Sequence, residues 1–457
     1  MSPESRLLRN GITLAGAVLT TIAALLFLAF FALDLLGMHA DNPYIGIVAF
    51  IGLPSIFVLG LVLIPIGVWR ERRRRARGEG PSMAEWPQLD FNSPRLRMVA
   101  FAIVVLTPVN VMIVSMAGYK GVEAMDSVTF CGQTCHTVMQ PEFVAYQHGP
   151  HARVKCVECH IGPGAGWFVK SKLSGTRQVF AVLLDSYPRP IPSPVHDLRP
   201  ARETCEQCHW PAQFHGDKLE TRSEFADDEA NTESTTTLRL RIGGLDGQGR
   251  PTGIHWHVSD QNAIEYVALD SARQEIGLVR QTGPDGVVTE YRAEGVTDEQ
   301  LVAGERRRMD CVDCHNRPSH RFARSVGRAV DQALVLGAAP RDLPYVKREA
   351  VAALDVAYPT QEAGIEAIGA RLSAFYREQY PEVYAARRAD VDRAAAAFQE
   401  VYRRNVFPSM NVTWGLHADN LGHTDFPGCF RCHDESHTSP DGRTIRQDCD
   451  MCHEVSF

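Results

Sequence analysis

The chain has no cysteine to spare. All twelve fall in pairs, and each pair is followed at once by a histidine, which leaves none for an unrelated disulfide or a lone reactive thiol. Lysine is missing from the first 118 residues, and charge of either sign is missing from three stretches there, residues 12–32, 44–69 and 98–118. A basic excess is lacking too. The net charge is −7, and beyond residue 118 there are 37 basic against 47 acidic residues, which argues against nucleic acid as a partner. Ordinary solubility accounts for the acidity, with docking to a basic protein as the sharper alternative. Nor is there a regular repeat. The paired-cysteine motifs start 25, 49, 106, 118 and 20 residues apart, so the long gaps must hold structure of their own.

Each uncharged stretch reaches the ~20 residues needed to cross a bilayer, and Pro54, Pro65 and Pro108 are tolerated where neighbouring helices satisfy the freed carbonyls. The expectation is an α-helical membrane anchor of three transmembrane helices within residues 1–118. Arg6 and Arg9 precede the first stretch, and eight arginines from Arg70 to Arg97 separate the second from the third. The segment between the first two carries Asp34 and Asp41 and no arginine. By the positive-inside rule the cysteine-rich part is exported, which predicts the cytoplasmic (inner) membrane with that part on the periplasmic side. The first stretch is too long for a signal-peptide core and reads as an uncleaved anchor.

The motifs are Cys131/Cys135/His136, Cys156/Cys159/His160, Cys205/Cys208/His209, Cys311/Cys314/His315, Cys429/Cys432/His433 and Cys449/Cys452/His453. Five are CxxCH and the first is CxxxCH. This is the pattern in which two thiols form thioethers to the vinyl groups of one haem and the next histidine ligates its iron. Thiols about one helical turn apart can reach both vinyls and leave the imidazole beneath the iron. Zinc sites, redox dithiols and disulfides are the rival readings of a lone CxxC, but none requires a histidine after every pair. Six covalently attached haems c are expected.

Ten histidines outside the motifs follow residue 118: His148, His151, His196, His215, His255, His257, His320, His417, His423 and His437. They suffice for a second imidazole on most irons. A doubly ligated iron suits electron transfer, whereas a catalytic haem keeps a face open. For any single one of these histidines the alternative reading is a surface or hydrogen-bonded residue. His255 and His257 alternate within Ile-His-Trp-His-Val, so as a strand both would face one way and only one would serve a given iron. Met139 is a possible thioether ligand for the first iron or an ordinary core methionine.

Between Thr236 and Arg292, alternating apolar residues with Gly-Gly and Asp-Gly turns read as a small antiparallel β insertion. From Arg324 to Arg404 the period turns helical, with breaks at Pro340, Pro344, Pro359 and Pro381. The haem segments themselves should be loops and short helices. This predicts an anchor over 1–118, a three-haem region over 119–217, a β-rich insertion over 218–305 and a helical, three-haem region over 306–457. The apo domain is not expected to fold, because the porphyrins supply so much apolar surface.

The stretch CGQTCHTVMQPEFVAYQHGPHARVKCVECHIGPG, residues 131–164, resembles the first two haem sites of the NapC/NirT family of membrane-anchored quinol dehydrogenases. A methionine after the first motif, an acidic-aromatic pair, a histidine and a second motif leading into a glycine turn correspond to Met139, Glu142 and Phe143, His148 or His151, and Cys156 through His160. The chain is most similar to the larger ImcH-type inner-membrane cytochromes, although it shows one motif fewer than that type. The resemblance implies Met139 as a ligand of the first iron and a menaquinol site near that haem. It also implies a lysine after the second motif against the quinol, where Lys172 fits best and Lys170 second. The family's proton-accepting carboxylate falls near Gln178, so that role is either unfilled or passes to Asp185 or Glu142.

The function implied is menaquinol oxidation with delivery of electrons to a periplasmic cytochrome or reductase. A passive relay subunit without its own quinol site is the alternative. A terminal reductase fits less well, since the lysine-ligated CxxCK motif of ammonia-forming nitrite reductases is absent.

Overall fold

The computed structural model describes residues 10–35, 52–79, 119–134, 136–195, 198–209 and 216–456, with isolated residues between 92 and 118. The chain divides into two units, residues 1–125 with 161–174, and residues 126–160 with 175–457.

In the first unit, helices α1 (Gly11–Leu35) and α2 (Leu53–Ala76) pack antiparallel along a seam of small residues. A Cβ on Gly60 would lie 2.4 Å from Thr20 Oγ1, and one on Gly67 would lie 2.3 Å from Thr13 Oγ1, so only glycine permits this approach. Asn10 opens α1 by accepting from the Thr13 amide at 2.8 Å. Away from the seam, Val18, Ile22, Leu25, Val58, Leu59 and Val62 are exposed.

The expected anchor of three transmembrane helices is corrected here. Among the described residues, no helix is long and apolar enough to cross a membrane. In α2 the apolar run within the helix covers residues 53–69 and then meets Arg70, Glu71 and Arg72 through Arg75, which falls short of the ~20 residues a span needs. The rest of the 44–69 segment and nearly all of 98–118 lie outside the described residues.

The second unit mixes helices and sheets. Helices α3 (His136–Gln147), α4 (Cys156–His160), α5 (Ala165–Leu183, which begins in the first unit) and α6 (Ala201–Cys205) accompany the first three motifs. Strands β1 (Lys218–Phe225) and β2 (Glu233–Leu240) form an antiparallel hairpin, followed by the two-residue strands β3 (Gly244–Leu245) and β4 (Pro251–Thr252) and a 3-10 helix, Ile254–Val258. Next come β5 (Ala263–Ala268), β6 (Ile276–Thr282), β7 (Val288–Arg292), helix α7 (Asp298–Ala303) and β8 (Glu305–Arg308), with sheet order β7-β6-β5-β8. Alternation in β5 turns Ile264, Tyr266 and Ala268 to a buried face with Ile276 and Val279 of β6. Strand β8 runs straight into the motif helix α8 (Cys311–Cys314). The chain ends in β9 (His453–Ser456), which pairs with β2, so the last motif is stitched to the first hairpin.

The largest core contains no motif residue. It lies in α9 (Val326–Val335), α10 (Val346–Leu354), α11 (Gln361–Gln379), α12 (Pro381–Ala386) and α13 (Arg388–Asn405), where Val330, Leu354, Ile368, Leu372, Tyr376 and Phe398 are fully buried. Ser325 caps α9 and Thr360 caps α11, while Pro381 occupies the first turn of α12, where its missing amide costs nothing. Within this core the Lys347 ammonium is held by Asp331 and by the Gly327 carbonyl at 2.9 Å, and the same carboxylate accepts from the Phe225 amide at 3.2 Å. Lys347→Met is therefore expected to cost about 3–5 kcal/mol, because it strands a buried carboxylate. Urea denaturation followed by far-UV circular dichroism would measure the loss, and a midpoint equal to wild type would contradict it.

Candidate haem and electron-transfer site

Short helical turns carry the motif thiols. Motif two is the single turn α4, motif four is α8, and motifs five and six begin in the 3-10 turns Gly428–Arg431 and Cys449–Met451. The first motif, with one extra residue, begins in a π-helical turn, Phe130–Thr134. A π turn holds more residues than an α turn, so the wider helix absorbs the CxxxC spacing. Phe143 of α3 closes over this turn, and a Cβ on Gly132 would meet its ring at 2.1 Å. Cys135 and the His136 side chain lie outside the described residues.

Five motif histidines each face one histidine from elsewhere in the chain. The ring centres are 6.2 Å apart for His160 and His320, 6.2 Å for His209 and His151, 6.4 Å for His315 and His255, 5.8 Å for His433 and His257, and 6.0 Å for His453 and His423. Two imidazoles on opposite faces of one metal, with bonds of about 2 Å, have ring centres roughly 6.3 Å apart. The residues thus fit an iron between them. Elsewhere, no cluster of three or more His, Cys, Asp or Glu side chains is poised for a bare metal ion among the described residues.

Backbone carbonyls orient the rings. The Nδ1–H of His320 donates to Glu142 O at 2.9 Å, that of His151 to Pro318 O at 3.2 Å, that of His255 to Ile242 O at 2.9 Å, and that of His257 to Ile254 O at 2.8 Å. A proton fixed on Nδ1 leaves the Nε2 lone pair for a metal, which is how second-shell carbonyls select the ligating tautomer. Burial holds His160, His257 and His315 below the ordinary imidazole value, so they stay neutral.

Neighbouring motifs lie near one another in sequence order. The pKa of the Cys156 thiol is lowered by Cys131 beside it, Cys159 lies in the field of Cys205 and Cys208, and the pKa of Cys205 is lowered by Cys311 beside it. Cys314 acts on Cys432 and is itself acted on by Cys429, and Cys429 acts on Cys452. Polar ties reinforce the series. Asp310 caps α8 and also accepts from the Ala201 amide of α6 at 2.9 Å, while Arg431 of motif five donates to Asp313 O of motif four at 2.7 Å. The buried Asp313 side chain accepts from Tyr266 Oη at 2.5 Å, and burial followed by this carboxylate raises the Tyr266 phenol.

The remaining candidates behave differently. Both ring nitrogens of His437 are engaged, with Asp434 Oδ1 and with Ile276 O, each at 2.9 Å, so neither is left for an iron. His148 is exposed, its Nδ1 on Val144 O at 2.9 Å. The His417 ring lies tilted 5.6 Å from Phe322, and its pKa is pushed down to about 4, first by burial and then by Arg317. Met139 is half-buried on α3, and His196 and His215 lie outside the described residues. Lys170 sits 5.0 Å from the Trp167 ring and Lys172 4.8 Å from Phe168, in the first unit, whereas Asp185 is in the second and pairs with Arg189 at 2.5 Å. Glu142 is taken up by Arg317 in a bidentate pair at 2.8 and 2.9 Å. Sequence reasoning missed Arg317, Tyr266 and Arg202 as supports. Only Asp313 had a local signal, the Asp-x-x-Asp capping pattern before and within its motif.

Residues 93–190 match the family model described as NapC/NirT cytochrome c family, N-terminal region. The cytochrome c-type protein ImcH of Geobacter sulfurreducens is 43% identical over 448 residues, which is 98% of this chain and 88% of that relative. The chain belongs to the NapC/NirT cytochrome c family. This cytochrome is accordingly an ImcH-like, multihaem electron-transfer protein with covalently bound haem c. No solved structure matches it.

Proposed function

We propose that the chain is a hexahaem cytochrome that oxidises menaquinol at the cytoplasmic membrane and passes electrons to a periplasmic cytochrome or reductase. The observation that carries this reading is the series of neighbouring motif thiols from Cys131 to Cys452, with five of the motif histidines each facing a second histidine, which has the form of a wire whose irons would be closed on both faces at those five sites. When bound, the haems supply one-electron acceptors in sequence. The paired histidines hold the iron positions, the carbonyl tethers fix their rings, and the packed motif turns keep neighbouring sites close. Exposed aliphatic side chains on α1 and α2 support membrane association.

Entry is proposed at the Cys131 site, with Met139 a ligand there. Lys172, with Lys170 beside it, would contact the quinol oxygen, and Asp185 would accept a proton, since quinol oxidation releases two protons that haem cannot take up. Purified protein in detergent, without partners, is expected to be reduced by a menaquinol analogue. Lys172→Ala should slow that reduction about tenfold, the scale of one lost charge-assisted hydrogen bond, while leaving dithionite reduction untouched. A fully loaded chain that the quinol cannot reduce would instead be a relay subunit.

A further inference from the structure

We propose that the five-residue helix Ile254–Val258 is a bridging ligand element, with His255 ligating the iron of the Cys311/Cys314 site and His257 that of the Cys429/Cys432 site, so that one rigid turn sets two neighbouring irons in different ligand fields. The inference rests on the haem-wire reading above and adds to it which residues join its fourth and fifth members.

Helical geometry makes the double role possible. At three residues per turn, side chains two positions apart point about 120° from each other rather than along one face. His255 meets His315 across 6.4 Å and His257 meets His433 across 5.8 Å, and each is tethered through Nδ1 to a carbonyl. Between them, Trp256 packs edge-on to His257 at 5.4 Å and fills the sheet core beside Tyr266 and Val279. Its indole N–H donates to Asn262 at 2.8 Å with the amide oxygen turned toward it.

The turn is held at both ends. Gly253, at φ 62°, admits no side chain, since a Cβ would lie 2.4 Å from Arg241 O. The Ile254 amide donates to that same carbonyl at 2.9 Å. At the far end the Arg202 guanidinium donates to the Val258 carbonyl and pairs with Asp260. Arg202 belongs to α6, which ends in Cys205, so the element is braced by the third motif while serving the next two.

Ring orientation distinguishes the two irons. The His255 and His315 planes are 7° apart, nearly parallel, whereas those of His257 and His433 are 75° apart. Parallel imidazoles split the iron d orbitals and give a rhombic low-spin resonance. Near-perpendicular imidazoles leave those orbitals almost degenerate and give a strongly anisotropic signal with one large g value. Axial-ligand arrangement is among the protein's main levers on haem electronics.

The test uses the full-length holoprotein, with attached haems counted by mass and oxidised samples read by electron paramagnetic resonance. His255→Ala should remove one rhombic low-spin component and produce a high-spin signal that added imidazole returns to low spin. His257→Ala should do the same to one strongly anisotropic component. If either alanine variant fails to accumulate, His255→Met and His257→Met keep a ligand in place, and each should introduce a sulfur-to-iron charge-transfer band. Unchanged spectra with all haems attached, or loss of both components from one substitution without imidazole rescue, would overturn the bridging role. A mass short of six haems in the wild-type chain would overturn the wire reading instead.

Discussion

Arg317→Ala is expected to lower stability by about 3–5 kcal/mol and to turn the His160 site from low spin toward high spin. The arginine side chain is 8% exposed and makes four kinds of contact: a two-pronged ion pair to Glu142, a bond to the His320 carbonyl at 2.6 Å, one to Ser193 at 3.1 Å, and a face on Phe322. Removing it strands a mostly buried carboxylate, which is the costly half of breaking a buried pair. The same loss frees α3 from the loop that carries His320. Because His320 is oriented by the Glu142 carbonyl, the ring opposite His160 would lose its alignment. Arg317→Lys should recover little, since an ammonium cannot span both carboxylate oxygens and the His320 carbonyl together. The measurement is urea denaturation together with the visible and resonance spectra of oxidised protein. A destabilised variant with an unaltered low-spin spectrum would separate the two effects and remove Arg317 from ligand positioning.

The six motifs were legible in the sequence because covalent attachment demands a fixed local spacing. The partner of each motif histidine was not, since His320 reaches His160 and His151 reaches His209 only through tertiary folding. The Ile-His-Trp-His-Val segment shows why pattern alone misleads. Alternation reads as a strand, but Gly253 at positive φ and the Arg241 and Ile242 carbonyls wind it into a 3-10 turn that sends the two histidines to different motifs. His437 illustrates the opposite error. It counts among the candidate ligands in the sequence, yet the residue is 1% exposed and both ring nitrogens are spent on Asp434 and Ile276. The helical segment from Arg324 was readable from its period and its proline breaks, while the Ser325 and Thr360 caps that start two of its helices emerged only in the structure. The three-span anchor was not sustained, since uncharged length in a sequence takes no account of where a helix begins, as the start of α2 at Leu53 shows.

Haem-free chain, made with all motif cysteines replaced by alanine, is expected to unfold in its motif regions and keep a protease-resistant fragment spanning about residues 325–406. Twenty buried side chains make up the largest core, and all but Phe225 belong to residues 326–406. None of them is a motif residue. Their burial depends on helix packing alone, with Tyr376 Oη donating to Pro344 O at 2.9 Å and Trp414 Nε1 to Leu354 O at 3.2 Å as fastenings. By contrast, between residues 126 and 217 the buried hydrophobic side chains among the described residues are Val138, Ala145, Tyr146 and Ala201, none of them fully buried. So little apolar burial, at about 25 cal/mol per Å², cannot offset the ~1–2 kcal/mol of backbone entropy lost per ordered residue. Porphyrin faces would have to supply the difference, as metals do in small metal-dependent domains. This narrows the expectation that the whole apo domain fails to fold: failure belongs to the haem-bearing segments, and the helical core should survive it. Limited proteolysis with mass mapping decides the matter. Complete digestion of the apo chain would mean that the helices, too, need the haems, and full resistance would mean that the motif regions do not.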